Sequence, residues 1–300
     1  MKVTVVLNHR SGLPKLLSIV RHKLETRITE LGHEVTILDI DAFNPPNQLA
    51  AQAVQAGCEL IVAAGGDGTV NGIAQAIAGT NVPVFHFPLG SGNGFARTMG
   101  IPLKLDASLE LLANPIIRRV DTARVNGKLF VIACGFGLDA LIAHDFKRVK
   151  LRGVGPYVWF GLWNYAKFKP ERFRMKDLDT NETWESEVLV VVATNSSQYG
   201  GGAIIAPGAL PDDGWLEWIE GKPVRWYESL RVGTRLFRGT LDKEAKLSRR
   251  KIKRIQVERL SDRREIHLDG EALFSERVNF IEIVPSSLSV VVGPAHKDGW

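Results

Sequence analysis

Two glycine-rich segments, each directly after a short apolar run, constrain the fold of this chain more than any other feature. The segment Gly65–Thr69 (Gly-Gly-Asp-Gly-Thr) follows Leu60–Ala64, and Gly90–Gly94 (Gly-Ser-Gly-Asn-Gly) follows Val82–Phe87. Apolar residues recur at helical spacing after each glycine-rich segment, so each pattern predicts a buried strand, a tight turn and a helix. Two such units in succession predict a parallel sheet whose turns share one edge.

The residue types in these turns indicate a site for a nucleotide polyphosphate. Glycine permits positive φ angles and close approach of a ligand to the main chain, so N–H groups and the positive end of the next helix can converge on phosphate oxygens. Asp67 would repel phosphate unless a divalent cation lies between them or unless it accepts a proton during transfer. Asn93 adds an amide that can bond phosphate or ribose.

One glycine turn alone is often only a tight turn, but a tandem pair that includes an acid and a threonine favours ligand binding. Asn8 and Ser11 follow the first predicted strand, which places them at the same ligand-binding edge. The predicted nucleotide-binding residues are Asn8, Ser11, Gly65, Gly66, Asp67, Gly68, Thr69, Gly90, Ser91, Gly92 and Asn93.

An ordered set of motifs makes the chain resemble the catalytic domain of the diacylglycerol kinase and bacterial lipid kinase family, which includes sphingosine and ceramide kinases. The resemblance runs the length of the chain, with His9 in place of a proline in the first motif. The motifs are Asn8–Gly12, Gly65–Thr69, Pro88–Arg97, Asp121, Gly135–Asp139, Tyr199–Gly202, Ala206–Ala209, Asp212–Gly214 and Asp269–Glu271.

The pattern of elements changes near Asp121. Strands and helices alternate before it, whereas short β-branched segments separated by turn residues follow it, as in an antiparallel sandwich. We therefore expect an α/β N-terminal domain with a parallel, Rossmann-like sheet of the NAD-kinase and diacylglycerol-kinase type, and an all-β antiparallel sandwich C-terminal domain. The expected boundaries are 1–123 and 124–285, and the resemblance suggests that 286–300 completes the first domain.

The segment Asp269–Glu271 is the candidate source of a general base. Asp-Gly is a common hairpin turn, and the pattern alone leaves a plain hairpin and a catalytic carboxylate equally open. The resemblance implies a base at Glu271 or Asp269, beside a catalytic role for Asp67. His86 and His267 lie within strand patterns, which favours packed or surface imidazoles.

The resemblance also implies a structural Mg²⁺ on Asp212, Asp213 and the main chain of Trp215. Leu210 stands where an additional acid often stands in the family, so this site would have few of the hard oxygen ligands that Mg²⁺ prefers.

Charge is distributed unevenly over a chain whose net charge is +5. Lys222–Arg264 carries 15 Lys and Arg against 5 Asp and Glu, and Asp145–Lys176 carries 9 against 2. The second segment also holds a run of aromatic residues, Tyr157–Phe168, which suits contact with an anionic membrane surface. For the rings alone, core packing is the favoured interpretation, because apolar rings usually face inward. The basic run Arg249–Arg254 lacks a nucleic-acid-binding module, so no nucleic-acid partner is expected. Given the resemblance to lipid kinases, this run is expected to contact anionic lipid.

Two cysteines without metal-type spacing, Cys58 and Cys134, favour a reducing compartment. Met1–Leu7 is too short for the apolar region of a signal peptide and is expected to form the first strand. The expected location is the cytoplasm with peripheral membrane association, and a homodimer remains open.

Taken with the resemblance, these features predict an ATP- and Mg²⁺-dependent kinase for a lipid primary hydroxyl, acting in the cleft between the domains. Two alternatives stay open at the level of sequence. NAD kinase shares a Gly-Gly-Asp-Gly-Thr loop in a similar first domain, and a nucleotide-dependent membrane-binding regulator would need no turnover.

Overall fold

The computed structural model describes residues 1–9, 14–148, 168–296 and 298–300. The chain divides into two compact units, Met1–Val120 with Ser286–Trp300 and Asp121–Pro285. The predicted binding residue Ser11 and the aromatic residues Tyr157, Trp159, Phe160, Trp163 and Tyr165 lie outside the described residues. Phe168, at the end of the aromatic run, is buried, and the guanidinium of Arg263 lies 4.7 Å from its ring centroid.

The first unit is built on a parallel sheet. Its strands are β1 (Lys2–Asn8), β2 (Glu34–Ile40), β3 (Leu60–Gly65) and β4 (Val84–Pro88), in the order β2-β1-β3-β4. Strand β3 is buried along its whole length, as its uninterrupted apolar sequence predicts for a central parallel strand. The end of the last strand of the chain pairs in parallel with β4, through Val290 and Val84.

Helices follow the strands of this unit. They are α1 (Pro14–Glu30), α2 (Pro46–Gln55), α3 (Asp67–Ile77), α4 (Gly94–Thr98) and α5 (Leu105–Leu109). Helix α3 buries Val70, Ile73, Ala74 and Ile77, whose spacing of three and four residues places them on one face. Helix α2 begins with a proline at its first position, where no N–H is needed.

The second unit consists mainly of antiparallel strands. In chain order these are β5 (Ile116–Val125), which begins in the first unit, β6 (Lys128–Phe130), β7 (Ala133–Gly137), β8 (Glu171–Asp177), β9 (Thr183–Val188), β10 (Val190–Thr194), β11 (Gln198–Gly200), β12 (Ala203–Ile204), β13 (Leu216–Gly221), β14 (Leu247–Ile252), β15 (Arg254–Arg259), β16 (Glu265–Leu268), β17 (Glu271–Phe274) and β18 (Val278–Val292), which ends in the first unit. The α-helices among the described residues of this unit are α6 (Leu138–Arg148) and α7 (Ser229–Arg238).

The strands of the second unit form two layers. One sheet has the order β14-β13-β10-β7-β16-β17, and the other runs from the first half of β18 through β15 and β8 to β9. Their inner faces share a core in which Phe136 and Phe173 meet edge to face, with ring centroids 6.2 Å apart. Arg259 is fully buried beside these rings and pairs with Glu171, with 2.9 Å between Nη2 and Oε2.

This architecture confirms the predicted fold class, a parallel α/β N-terminal domain followed by a β-sandwich. None of the helices that the structure describes is long and apolar enough to cross a membrane.

Candidate active site

The two glycine turns meet at the carboxyl edge of the parallel sheet. Strand β3 ends at Gly65 and leads directly into α3, while β4 ends at Pro88 and leads into the turn before α4. Because β3 and β4 are hydrogen-bonded neighbours, with Gly65 paired to Pro88, both turns emerge side by side. Asn8 ends the other neighbour of β3, strand β1.

Main chain packs against main chain where the turns meet. A Cβ atom added at Gly90 would lie 2.7 Å from the Cα of Gly66, and one added at Gly66 would lie 3.3 Å from the Cα of Gly90. A Cβ at Gly65 would overlap the side chain of Thr69. The glycines therefore permit an approach that no larger residue allows, and they leave the turns as a backbone-lined surface.

Side chains link the turns to one another. The Asp67 carboxylate accepts hydrogen bonds from the main-chain N–H groups of Gly94 (3.0 Å) and Phe95 (2.9 Å), so it caps the start of α4 from the start of α3. Asn8 Nδ2 donates to Thr69 Oγ1 at 3.0 Å, which ties the end of β1 to the same helix. The predicted nucleotide-binding residues that the structure describes thus occupy one edge of one sheet.

Two polar groups in this region are buried with incomplete bonding. Asn93 adopts a positive φ of 47°, and its Nδ2 donates to the Gly90 carbonyl at 2.7 Å. Its Oδ1 is buried and has no hydrogen-bond donor among the described residues. His86 is buried beneath the turns with Nε2 3.1 Å from the Gly65 carbonyl, and its burial lowers the pKa of the imidazole despite the nearby Asp67.

In the second unit, Asp269 and Gly270 form a two-residue hairpin between β16 and β17. Both have positive φ angles, 50° and 81°, as a type I′ turn requires. The Asp269 carboxylate turns back and accepts main-chain N–H groups from three consecutive residues, Val131 (2.9 Å), Ile132 (2.8 Å) and Ala133 (2.9 Å). The carboxylate of Glu271 is exposed, and no donor among the described residues contacts it.

A buried polar cluster lies directly behind this hairpin. His267 Nδ1 accepts the N–H of Gly270 at 3.3 Å, and its Nε2 faces the carboxylate of Asp139 and the hydroxyl of Tyr199. A side chain at Gly135 would overlap both His267 and Asp139. Burial, and then the carboxylates of Asp269 and Asp139, raise the pKa of the neighbouring Cys134 thiol well above its usual value.

Sequence reasoning did not assign this cluster. Gly135–Asp139 and Tyr199–Gly202 were recognisable as motifs, but His267 lies in an alternating strand that gives no sign of its partners. Its register opposite Gly135, set by pairing between β16 and β7, brings the three side chains together.

Comparisons with known proteins match both units of this chain. The family model of the diacylglycerol kinase catalytic domain matches residues 2–125, and that of the YegS C-terminal NAD kinase beta sandwich-like domain matches residues 132–292. A Pseudomonas aeruginosa protein named probable lipid kinase YegS-like is 33% identical over 267 residues, which cover 87% of this chain and 84% of that protein. The chain belongs to the diacylglycerol kinase and YegS-like family of lipid kinases. The resemblance seen in its motifs is thereby confirmed.

Further relatives of this lipid kinase family member span nearly the same length. A protein of Mycobacterium tuberculosis named diacylglycerol kinase is 29% identical over 265 residues, 86% of this chain and 85% of its own. The crystal structure of a diacylglycerol kinase from Bacillus anthracis str. Sterne superposes with a TM-score of 0.73 at 21% identity, over 98% of this chain and 97% of that chain. At that identity the likeness supports the fold.

In the acidic loop Asp212–Gly214, the Asp213 carboxylate is paired with a lysine from strand β14. Asp213 Oδ1 accepts the N–H of Trp215 at 3.0 Å, and its Oδ2 pairs with the Lys251 ammonium at 2.6 Å. Among the described residues, no group of three or more His, Cys, Asp or Glu side chains is placed to hold a metal ion. The Lys251 ammonium would repel a divalent cation at the Asp213 carboxylate, so this ion pair argues against the predicted Mg²⁺ on Asp212, Asp213 and Trp215.

The basic run on β14 and β15 is paired within the protein. Arg249 bonds Glu217 at 2.7 Å, Arg250 bonds Glu182 at 3.1 Å, and Arg254 bonds Asp179 at 2.6 Å. These cations are therefore partly neutralised before any anionic surface approaches them.

Proposed function

We propose that this chain is an ATP-dependent kinase that phosphorylates a primary hydroxyl of diacylglycerol or a related lipid. The observation that carries the proposal is the backbone contact between Gly66 and Gly90, where even a methyl group at Gly90 would lie 2.7 Å from the opposing Cα. Two turns held this closely at a sheet edge form a surface of main-chain N–H groups and a helix start, which suits a polyphosphate.

The remaining polar groups at the edge support a nucleotide. Asn93 Oδ1 is buried without a donor among the described residues, so a ribose hydroxyl or an adenine amino group would satisfy it. The half-buried carboxylate of Asp67 accepts one N–H at each oxygen and retains acceptor capacity for Mg²⁺. Mg²⁺ bound there with the nucleotide would neutralise negative charge on the phosphates.

In the proposed reaction, Glu271 acts as general base. Its carboxylate accepts the proton of the lipid hydroxyl as that oxygen forms a bond to the γ-phosphorus, and the bond from γ-phosphorus to the β–γ bridging oxygen breaks to release ADP. The hairpin holds Glu271 in place through Asp269, whose three main-chain bonds anchor the turn. The names of the relatives, lipid kinase and diacylglycerol kinase, favour a lipid acceptor over NAD.

The test is transfer of phosphate from γ-labelled ATP to a total lipid extract, followed by identification of the labelled product. NAD serves as a parallel acceptor, and Asp67→Asn serves as the matched inactive variant. We expect labelled lipid with the native protein and at least about a tenfold loss with Asp67→Asn, because charge stabilisation typically supplies several kcal/mol.

Labelled NADP would replace the proposal with NAD kinase activity. ATP binding without transfer to either acceptor would favour a regulator without turnover.

A further inference from the structure

Helix α7 presents an apolar stripe to solvent. Leu230, Thr234 and Phe237 follow one another at spacings of four and three residues and so lie on one face of the helix. Together with Tyr227, in the 3₁₀ turn Trp226–Glu228 that leads into α7, they are hereafter called the outer stripe. The side chains of Leu230, Tyr227 and Phe237 are 78%, 54% and 43% exposed. Of the ten residues Ser229–Arg238, all of which the structure describes, none is buried.

The opposite side of the helix is fastened to the protein through charge. The buried carboxylate of Glu244 pairs with Arg231 at 3.0 Å and with Arg235 at 2.9 Å. Arg235 also donates to the carbonyl of Lys243 at 2.6 Å. An amphipathic surface helix normally buries its apolar face and exposes its charges. Here ion pairs hold one side of the helix, Val232 and Leu236 are half-buried, and two of its largest apolar side chains face water.

The hydroxyl groups of the outer stripe are hydrogen-bonded within the protein. The hydroxyl of Thr234 donates to the Leu230 carbonyl at 2.8 Å, within the helix. The other hydroxyl of the stripe, that of Tyr227, accepts a hydrogen bond from Arg225 Nη1 at 2.7 Å, so an apolar medium would meet hydroxyls that are already hydrogen-bonded.

We propose that the outer stripe inserts into the surface of a bilayer containing anionic lipid. The charge around it favours this occupant over a second copy of the chain. Residues 222–246 contain 7 Lys and Arg against 3 Asp and Glu, and Arg225, Arg238 and Lys243 of this segment are exposed. Two such surfaces would repel each other, whereas anionic headgroups would pair with the cations while the apolar side chains enter the acyl boundary.

The dimensions of the helix fit this arrangement. Ten residues give a helix about 15 Å long, which is too short to span a bilayer but suits a position in the plane of the interface. Gly239, with a φ of 65°, ends the helix in a left-handed cap. The role of this membrane contact rests on the proposed lipid kinase function, because the enzyme would reach the hydroxyl of its lipid substrate at the membrane surface.

Vesicle sedimentation tests the inference with the full-length protein. The vesicles contain phosphatidylcholine with or without phosphatidylglycerol, and the variants are Leu230→Ser and Phe237→Ser. Phe280→Ser is the matched control, because Phe280 is 51% exposed on a strand of the same unit. We expect binding to the anionic vesicles that weakens as salt rises, at least about a tenfold lower partition coefficient for each stripe variant, and no change for the control.

A fluorescent probe at position 230 tests whether the outer stripe itself contacts the membrane. Both native cysteines are buried, so a polarity-sensitive fluorophore can be attached selectively to Leu230→Cys or to Phe280→Cys. We expect a blue shift on anionic vesicles at position 230 only. The inference is wrong if the native protein and the stripe variants bind vesicles equally, or if the native protein does not prefer anionic vesicles. It is also wrong if the stripe variants lose a dimer but keep vesicle binding.

Activity measurements separate this inference from the proposed function. The stripe variants should phosphorylate a dispersed short-chain diacylglycerol as the native protein does, and lose activity only on diacylglycerol in vesicles. If the native protein phosphorylates no lipid but binds through position 230, the proposed function fails and the inference holds.

Discussion

Asp269 and Glu271 are two residues apart, yet the hairpin gives them different surroundings. The left-handed conformation of Asp269 turns its carboxylate toward three main-chain N–H groups, which hold it as an anchor. Glu271 begins the next strand with its carboxylate in solvent. A proton acceptor needs a lone pair directed at the substrate, so the geometry favours Glu271 as the base and Asp269 as the residue that positions it.

Substitution of each carboxylate should therefore give a different phenotype. We expect Glu271→Gln to lower kcat by about 10²-fold or more, with the KM for ATP and the Tm nearly unchanged, because only the proton acceptor is lost. Asp269→Asn should lower the stability by about 1.5 to 3 kcal/mol, since charge-assisted bonds to buried main-chain groups are weakened. Steady-state kinetics and thermal unfolding measure both effects.

If Asp269→Asn lowers kcat selectively while Glu271→Gln lowers only the stability, Asp269 is the base. Near-normal kcat in both variants would reduce the turn to a structural hairpin.

Residue patterns predicted these positions but not their partners. The glycine turns, Asp67 and Asn8 follow from strand, turn and helix periodicity, because parallel strands end at one edge. The bonds from Asp67 to Gly94 and Phe95 join residues 27 and 28 positions apart, and the contact between His267 and Asp139 spans 128 positions. No local pattern encodes such pairs, since they depend on the register of strands that are distant in sequence.

At the scale of elements, an ion pair joins the acidic loop to strand β14. The main-chain N–H of Gly214 donates to the buried carboxylate of Asp121 at 2.7 Å, and Lys251 on β14 pairs with Asp213. The loop is thus held by side chains of this chain, where the family resemblance implies a metal.

This arrangement predicts that the stability of the ligand-free protein does not depend on Mg²⁺. We expect the Tm to be the same in EDTA and in millimolar Mg²⁺, and Lys251→Met to be less stable by about 1 kcal/mol or less, because the lysine is half exposed. Arg250→Gln is the matched control, since its partner Glu182 is largely exposed. Thermal unfolding of the three proteins provides the measurement. A Tm that falls by several degrees when EDTA is added to the native protein would contradict this account.

The sequence predicts where basic residues cluster, but it does not predict which acids pair with them. The basic composition of 222–264 is evident from the sequence, and it suggested that the run Arg249–Arg254 meets lipid. On an antiparallel strand, cations lie opposite residues of the neighbouring strand, so acids on β13 and in the nearby loops pair with them. Near α7, Arg231 and Arg235 pair with Glu244, whereas Arg225, Arg238 and Lys243 are exposed.

At the scale of the whole molecule, the chain leaves the first unit at Val120 and returns to it at Ser286. Strand β18 makes this return, and its burial changes character along its length. From Asn279 to Ile283 buried and exposed residues alternate, as in a sheet with one solvent face, whereas Leu288–Val292 is buried throughout, as in a strand covered on both faces. The second unit is therefore continuous in sequence, and the first unit needs both ends of the chain.

Removal of residues 286–300 should abolish the fold of the first unit. Leu288, Val290, Val291 and Val292 are all buried, and burial of four such side chains stabilises by about 6 to 12 kcal/mol. This range is comparable to the whole stability of a typical domain, about 5 to 15 kcal/mol. A chain that ends at Pro285 should lose binding of a fluorescent ATP analogue and should lose one cooperative transition in calorimetry.

A chain that ends at His296 is the matched control. It keeps the whole of β18 and the close contact of Gly293 with Gly100, and it lacks only Lys297–Trp300. We expect it to bind the analogue as the full-length protein does, because the lost residues carry no part of the sheet. If the chain that ends at Pro285 binds the analogue with normal affinity and unfolds cooperatively at an unchanged temperature, the first unit is complete without the last strand, and pairing of Val290 with Val84 contributes little to its stability.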